Sequence, residues 1–206
     1  MAIIQADIID IKTDTPQQSD IFFVDTNVWF WQTYRNAGFG ANSYQLSNYP
    51  NYPNYINLAL SNGATLTYSG LTLAELAHII EKTEYDIYVQ SNGYLHFKKY
   101  RHDYPTERAN VVAEVQFTWR RIKKIAIPIK LTVDDATTDA AIKRFTTQAV
   151  DGYDLLILEA ISIAGAGTVK TITDDMDYSV VPGIQVFTSN KYVIQDAAMQ
   201  KKLVRR

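Results

Sequence analysis

Two short apolar runs, rich in β-branched and aromatic residues, break off in acid. Ile21-Phe22-Phe23-Val24 leads into Asp25-Thr26-Asn27, and Val169-Lys170-Thr171-Ile172-Thr173 leads into Asp174-Asp175-Met176-Asp177-Tyr178. Around them lie stretches with helical periodicity, so the chain reads strand, helix, strand, helix. That order predicts an α/β fold with three layers, α/β/α, around a central, mainly parallel sheet. In such a sheet the carboxyl ends of the strands line one crevice, and acids closing the strands converge there. Mutually repelling carboxylates need a cation among them. A hard divalent ion with oxygen ligands is the best match.

Local signals set the expected elements. Strands are predicted at 21–25 and at 64–68, the second entered through the turn Ser61-Asn62-Gly63. A helix starts at Val28 and runs to Tyr34, and Ser69 or Thr72 caps another through about Lys82. Pro105 to Lys124 reads as a long helix with proline in its first turn. Ile125 to Val133 is apolar and β-branched, with Pro128 pushing it to a sheet edge or a strand entry. Asp134-Asp135 begin a helix through about Ala149. Asp151 or Gly152 begins the next, with Gly165-Ala166-Gly167 as a left-handed stop. Strands at 169–173 and 184–188, separated by Val181-Pro182-Gly183, complete the pattern.

No domain boundary interrupts residues 1–206, only insertions at about 35–55 and 84–104 and a basic tail at 190–206. The first insertion holds Tyr44, Tyr49, Tyr52 and Tyr55 in the near-repeat Asn48-Tyr49-Pro50-Asn51-Tyr52-Pro53-Asn54-Tyr55. Two prolines at that spacing predict an extended, polyproline-like path. Its rings could stack on unpaired bases. Packing on the neighbouring helix, or on a protein partner, is the favoured reading.

Composition excludes several classes. With 206 residues there is room for one large domain, and 47% apolar and 20% charged residues are ordinary for a globular chain. Cysteine is absent, which removes disulfides and thiolate zinc sites and is compatible with a reducing cytoplasm. Met1-Ala2-Ile3-Ile4-Gln5-Ala6-Asp7 lacks the basic and apolar regions of a signal peptide, and no run approaches membrane-spanning length. The net charge of −2 hides an asymmetry. Between His96 and Lys124 stand Lys98, Lys99, Arg101, Arg108, Arg120, Arg121, Lys123 and Lys124 against Asp103, Glu107 and Glu114. A solvated helix face explains these on charge alone; a polyanion held by them and presented to a metal is the functional alternative.

Each acid has a structural rival role. Asp25 is placed to cap the helix that follows. Glu75 lies on a helix apolar on more than one side, and Thr72-x-x-Glu75 also spells a capping box. Asp154 opens the intensely apolar Leu155-Leu156-Ile157-Leu158, where the helix dipole favours an acid, and Asp151 competes for that place. Asp174, Asp175 and Asp177 crowd more charge together than a loop needs. Their joint placement at strand ends and helix starts is the signal.

These motifs together resemble the PIN-domain nucleases. Asp25-Thr26-Asn27 after a strand, Leu73-Ala74-Glu75-Leu76, Asp154-Leu155-Leu156-Ile157 and Thr173-Asp174-Asp175-Met176-Asp177-Tyr178 carry the likeness. Val181-Pro182-Gly183-Ile184-x-Val186 is similar to the VapC-like toxin branch. The resemblance implies one PIN-like domain with its core at about 20–190, and a cytoplasmic endoribonuclease using Mg²⁺ or Mn²⁺. Its catalytic acids fall on Asp25, Glu75, Asp154 and Asp175, with Asp177 a fifth metal ligand and Thr26, Asn27, Thr173 and Asp174 in support. Lys98, Lys99, Arg101, Arg120, Arg121, Lys123 and Lys124 are the candidate phosphate contacts to single-stranded or structured RNA. RNA, an antitoxin protein and a second copy of the chain are the expected partners, and no membrane. A chain of this length with two insertions departs from a compact toxin.

The competing readings are a catalytically silent PIN-like module that binds RNA or protein, acid–base cleavage by His96 and His102, and an aspartyl-phosphate phosphatase. The last wants an acid two residues after Asp25, where Asn27 stands.

Overall fold

The computed structural model describes residues 3–164 and 169–206. Six parallel strands form one sheet in the order β1-β6-β5-β2-β3-β4. They are β1 (Asp7–Asp10), β2 (Ile21–Val24), β3 (Thr65–Tyr68), β4 (Ile127–Pro128), β5 (Val169–Ile172) and β6 (Ile184–Thr188). The helices are α1 (Thr26–Thr33), α2 (Ser43–Asn48), α3 (Asn51–Ser61), α4 (Gly70–Asn92), α5 (Phe97–Asp103), α6 (Pro105–Ile125), α7 (Asp135–Phe145), α8 (Gly152–Ala164) and α9 (Lys191–Met199).

Side-chain alternation along the strands builds the three layers. Ile9, Phe22, Val24, Leu66, Ile172 and Phe187 face one core with Trp29 of α1, Tyr52, Tyr55 and Ile56 of α3, Leu76 and Ile80 of α4, and Ile122 of α6. Their neighbours face the other way. Ile8 and Val186 pack with Leu158 of α8 and Val193 and Ala197 of α9, and Phe23 packs with Ile157 and Ile161 of α8. Burial on both faces is what a parallel sheet requires.

The strand order fixes where a ligand can sit. From β2 the chain moves outward to β3 and then β4; β5 lies on the opposite side of β2 and leads away to β6. The direction reverses between β2 and β5, and in sheets of this kind the carboxyl ends of the strands at such a reversal are where ligands bind. Val24 pairs with Ile172, so Asp25 and Thr173 leave the sheet side by side.

The structure departs from the sequence expectations at several points. The proline-rich repeat is helical, not extended: Pro50 is the N-cap of α3 and Pro53 lies in its first turn, where amide hydrogens have no helical partner to lose. Tyr52 and Tyr55 are therefore core residues, 0% and 3% exposed. The α4 helix passes Lys82 and runs to Asn92, because Tyr85 and Tyr88 meet Phe97 and Tyr100 of α5 in a small core of their own. The 125–133 stretch contributes only the two-residue edge strand Ile127–Pro128, since Pro128 has no amide to extend the ladder. The α7 helix stops at Phe145, short of Ala149. Four further elements were not anticipated, β1, α2, α5 and α9, and α9 occupies the expected basic tail. The Gly165-Ala166-Gly167 stop lies outside the described residues. Among the described residues, no helix is long and apolar enough to cross a membrane.

Candidate metal-binding carboxylate site

Asp25 is held in place by hydrogen bonds that the chain order makes unavoidable. As N-cap of α1 it accepts from the Thr26 amide at 2.6 Å through Oδ1. Its Oδ2 accepts from Thr173 Oγ1 at 2.6 Å, the residue that leaves β5 beside it. Capping and site-building thus coexist in one side chain. Thr173 is shared: its Oγ1 also accepts the Asp175 amide at 2.9 Å, and Asp175 Oδ1 accepts the Asp177 amide at 2.9 Å.

Glu75 comes in from the second turn of α4. The cap of that helix is Ser69, in a box with Thr72, so the Thr72-x-x-Glu75 box is not formed and Glu75 is free of capping. Its Oε2 accepts instead from Thr26 Oγ1. Asp154 comes from the first turn of α8 and accepts from the buried Tyr178 hydroxyl at 2.7 Å. The capping role there belongs to Asp151, whose Oδ1 accepts the amides of Tyr153 at 3.1 Å and Asp154 at 3.3 Å.

Four acids from four separate segments feel one another across this crevice. Burial first, then the charges of Asp175 and Glu75, raises Asp25 to about 7. Burial, with the charges of Asp154, Asp151 and Asp175, raises Glu75 to about 7. Burial and the charge of Asp25 raise Asp154 to about 8. Asp175 and Asp177 are raised as well, each by burial first and then by neighbouring acids. Among the described residues, no lysine, arginine or histidine pairs with any of the five.

The donors fit a hard divalent cation by kind and by charge. As the side chains stand, no three acidic or histidine groups among the described residues are close enough to share one ion. Asn27, beside Asp25 in the sequence, has a buried Oδ1 with no protein partner.

The remaining predicted residues are placed differently. Asp174 turns away from the crevice. Its Oδ1 accepts from Tyr52 at 2.5 Å and Asn48 at 3.1 Å, and Asn190 Nδ2 donates to its carbonyl at 2.9 Å. It anchors the α2–α3 insertion. Of the basic candidates, Arg101 grips the buried Glu81 together with Arg108, at 2.5 and 3.0 Å. Arg121 Nη1 donates to the Thr33 carbonyl at 2.9 Å. Lys98, Lys99, Arg120, Lys123 and Lys124 are exposed on α5 and α6. Sequence reasoning weighed Asp151 only as a cap and passed over the hydroxyl of Tyr178. The signal for the first was the pair Asp151-x-x-Asp154, one helical turn apart.

No family model matches the chain, and no curated protein matches it. Among solved structures, VapBC2 from Rickettsia felis bound to a DNA fragment from their promoter is similar at 14% identity and a TM-score of 0.44, over 81% of this chain and 96% of that one. That overlap is too loose to assign a function, which is read from the carboxylates.

Proposed function

We propose that this chain, taken as one PIN-like domain over residues 1–206, is a metal-dependent endoribonuclease that cleaves RNA phosphodiesters with water. The observation that carries the reading is the crevice between β2 and β5. There Asp25, Glu75, Asp154 and Asp175 act on one another electrostatically with no paired cation among the described residues, and their pKa values are raised. Raised carboxylates grouped at strand ends and helix starts without a paired cation are what a cation-binding site presents before its ion is bound.

An Mg²⁺ or Mn²⁺ would be held by Asp25, Asp154 and Asp175 with Asp177 beside them, and would supply Lewis acidity to acidify water and polarise the scissile phosphate. Glu75, fixed at one oxygen by Thr26, accepts the proton of the attacking water. Thr173 and Thr26 hold Asp25 through both oxygens, so it need not reorganise as charge develops. In-line attack leaves a 5′-phosphate and a 3′-hydroxyl. Lys98, Lys99, Arg120, Lys123 and Lys124 are offered as backbone contacts to the strand. In the toxin form of this proposal the protein works in the cytoplasm, and an antitoxin inserts a basic side chain among the acids.

The silent binding module stays as a second reading because, among the described residues, no three carboxylates stand within reach of one ion. Cleavage of labelled single-stranded RNA in Mn²⁺ or Mg²⁺, with and without EDTA, separates the two. The wild type is expected to cut only with metal, and Asp25→Asn to lose at least about a hundredfold while keeping its fold. Metal binding by calorimetry without any cutting would transfer support to the module.

A further inference from the structure

Next to the carboxylates, one strand over, the same edge of the sheet carries a cation set between two aromatic rings. Lys191 follows β6 by three residues and opens α9. Its Nζ lies 4.9 Å from the ring centre of Tyr44 and 4.9 Å from that of Tyr192. The two rings are 5.9 Å apart at 44°. Tyr192 is 55% exposed, and Tyr44 is half-buried. Among the described residues, no carboxylate pairs with Lys191.

The patch is tied to the site through backbone and side chain. Asn190, which precedes Lys191, donates to the Asp174 carbonyl at 2.9 Å, and Asp175 is the next residue. The Lys191 amide lies 3.4 Å from the Tyr44 hydroxyl oxygen, which accepts from it. Tyr44 itself rides on the insertion that Asp174 anchors through Asn48 and Tyr52. Register with Asp175 is therefore fixed from two directions.

We infer that Lys191, Tyr192 and Tyr44 form a subsite for the single-stranded nucleic acid that runs into the carboxylate crevice, with Lys191 on a phosphate and Tyr192 under a base. This rests on the nuclease reading for the strand's destination. The chemistry is that of sequence-tolerant single-strand recognition: a ring offers stacking to any base and an adjacent ammonium neutralises the backbone. It also redirects the search for substrate contacts. The aromatic residues of the insertion enter through Tyr44, while Tyr52 and Tyr55 are spent in the core and Tyr49 is stacked on Trp31 at 4.4 Å.

The test is anisotropy of a short fluorescein-labelled single-stranded RNA, read on the Asp25→Asn protein so that nothing is cut. Tyr192→Ala is expected to weaken binding about tenfold, within the range for one stacked base, and Tyr192→Phe to leave it unchanged. Lys191→Ala is expected to flatten the slope of log K against log salt by about 0.7, one phosphate's share on a single strand. A DNA strand of the same sequence loses the same factors, since neither contact reads the 2′-hydroxyl. Melting curves accompany each variant. Undiminished binding and salt slope in Tyr192→Ala and Lys191→Ala would overturn the subsite while wild-type cleavage leaves the nuclease intact. Equal damage from Tyr192→Phe and Tyr192→Ala would make the ring a structural prop, which also overturns it. If the wild type does not cut RNA and the Asp25→Asn protein does not bind it, the nuclease reading falls and the subsite with it.

Discussion

Aspartates stand at both ends of β2, Asp20 just before it and Asp25 just after it, in opposite electrostatic company. Asp20 is 1% exposed and accepts from Lys170 at 2.5 Å and from Arg206 at 2.8 Å. Burial alone would raise it, but Arg206, the Gln17 amide and Lys170 together outweigh burial and bring it to about 2. Arg206 also bridges to Asp14 at 2.8 Å and lies 4.6 Å from the ring centre of Phe187. Asp25 is 5% exposed, with threonines and an amide for partners and acids for neighbours, and is raised to about 7. The strand separating them is four residues long. One end is complete in itself. The other has acids for neighbours and, among the described residues, no paired cation; on the proposed function a cation would complete it.

Removing the cation from the finished end should have the largest effect. Arg206→Ala leaves Asp14 and Asp20 facing each other with Lys170 alone, and is expected to cost about 3 kcal/mol in urea unfolding. Its affinity for Mn²⁺ should not change; a parallel loss of metal binding would mean that the two ends are coupled.

At the unfinished end the sign reverses. Asp25, Glu75 and Asp154 have folded values of about 7, 7 and 8 against ordinary values of 3.8, 4.5 and 3.8. The folded state keeps protons that the unfolded chain gives up, so metal-free stability is full below about pH 4 and falls as pH rises through 7 to 8. Asp20 works oppositely: its contribution is present above about pH 4 and is lost as pH falls towards 2. Thermal melts in EDTA at pH 5 and pH 8 read the first slope, and added Mn²⁺ should remove it. Asp25→Asn should therefore stabilise the metal-free protein at pH 8, by about 2 kcal/mol once its altered hydrogen bonds are counted. A destabilised Asp25→Asn would return Asp25 to a purely capping role.

The smallest effect belongs to Thr173→Val, which deletes the hydroxyl between Asp25 and Asp175. Stability should change by about 1 kcal/mol, whereas metal affinity should fall about tenfold, as when a ligand's orienting partner is lost. Calorimetric titration with Mn²⁺ separates the two.

Much of the unfinished end was legible because its signals are local. An apolar strand ending in an acid and a helix opening with one place those acids on a parallel sheet with little help from tertiary detail. What was illegible depended on partners distant in sequence. Arg101 reads as a free cation until Glu81, 20 residues away, claims it. Asp174 reads as a supporting acid of the site until Tyr52, 122 residues away, turns it aside. The β1 strand escaped notice because Asp7 and Asp10 bracket only two apolar residues, and it is covered on its outer side by a bridge from Ile8 to Leu203. The prolines misled because their meaning depends on position within a helix that the repeat itself does not announce.

Asp174 and Asp175 are consecutive residues with opposite loyalties, the first bonded to the insertion and the second lining the crevice. One peptide unit joins them, so the hydrogen bonds that tie α2 and α3 to Asp174 lie one residue from the backbone that delivers Asp175 to the carboxyl end of the sheet, and the insertion and the acids share a single anchor.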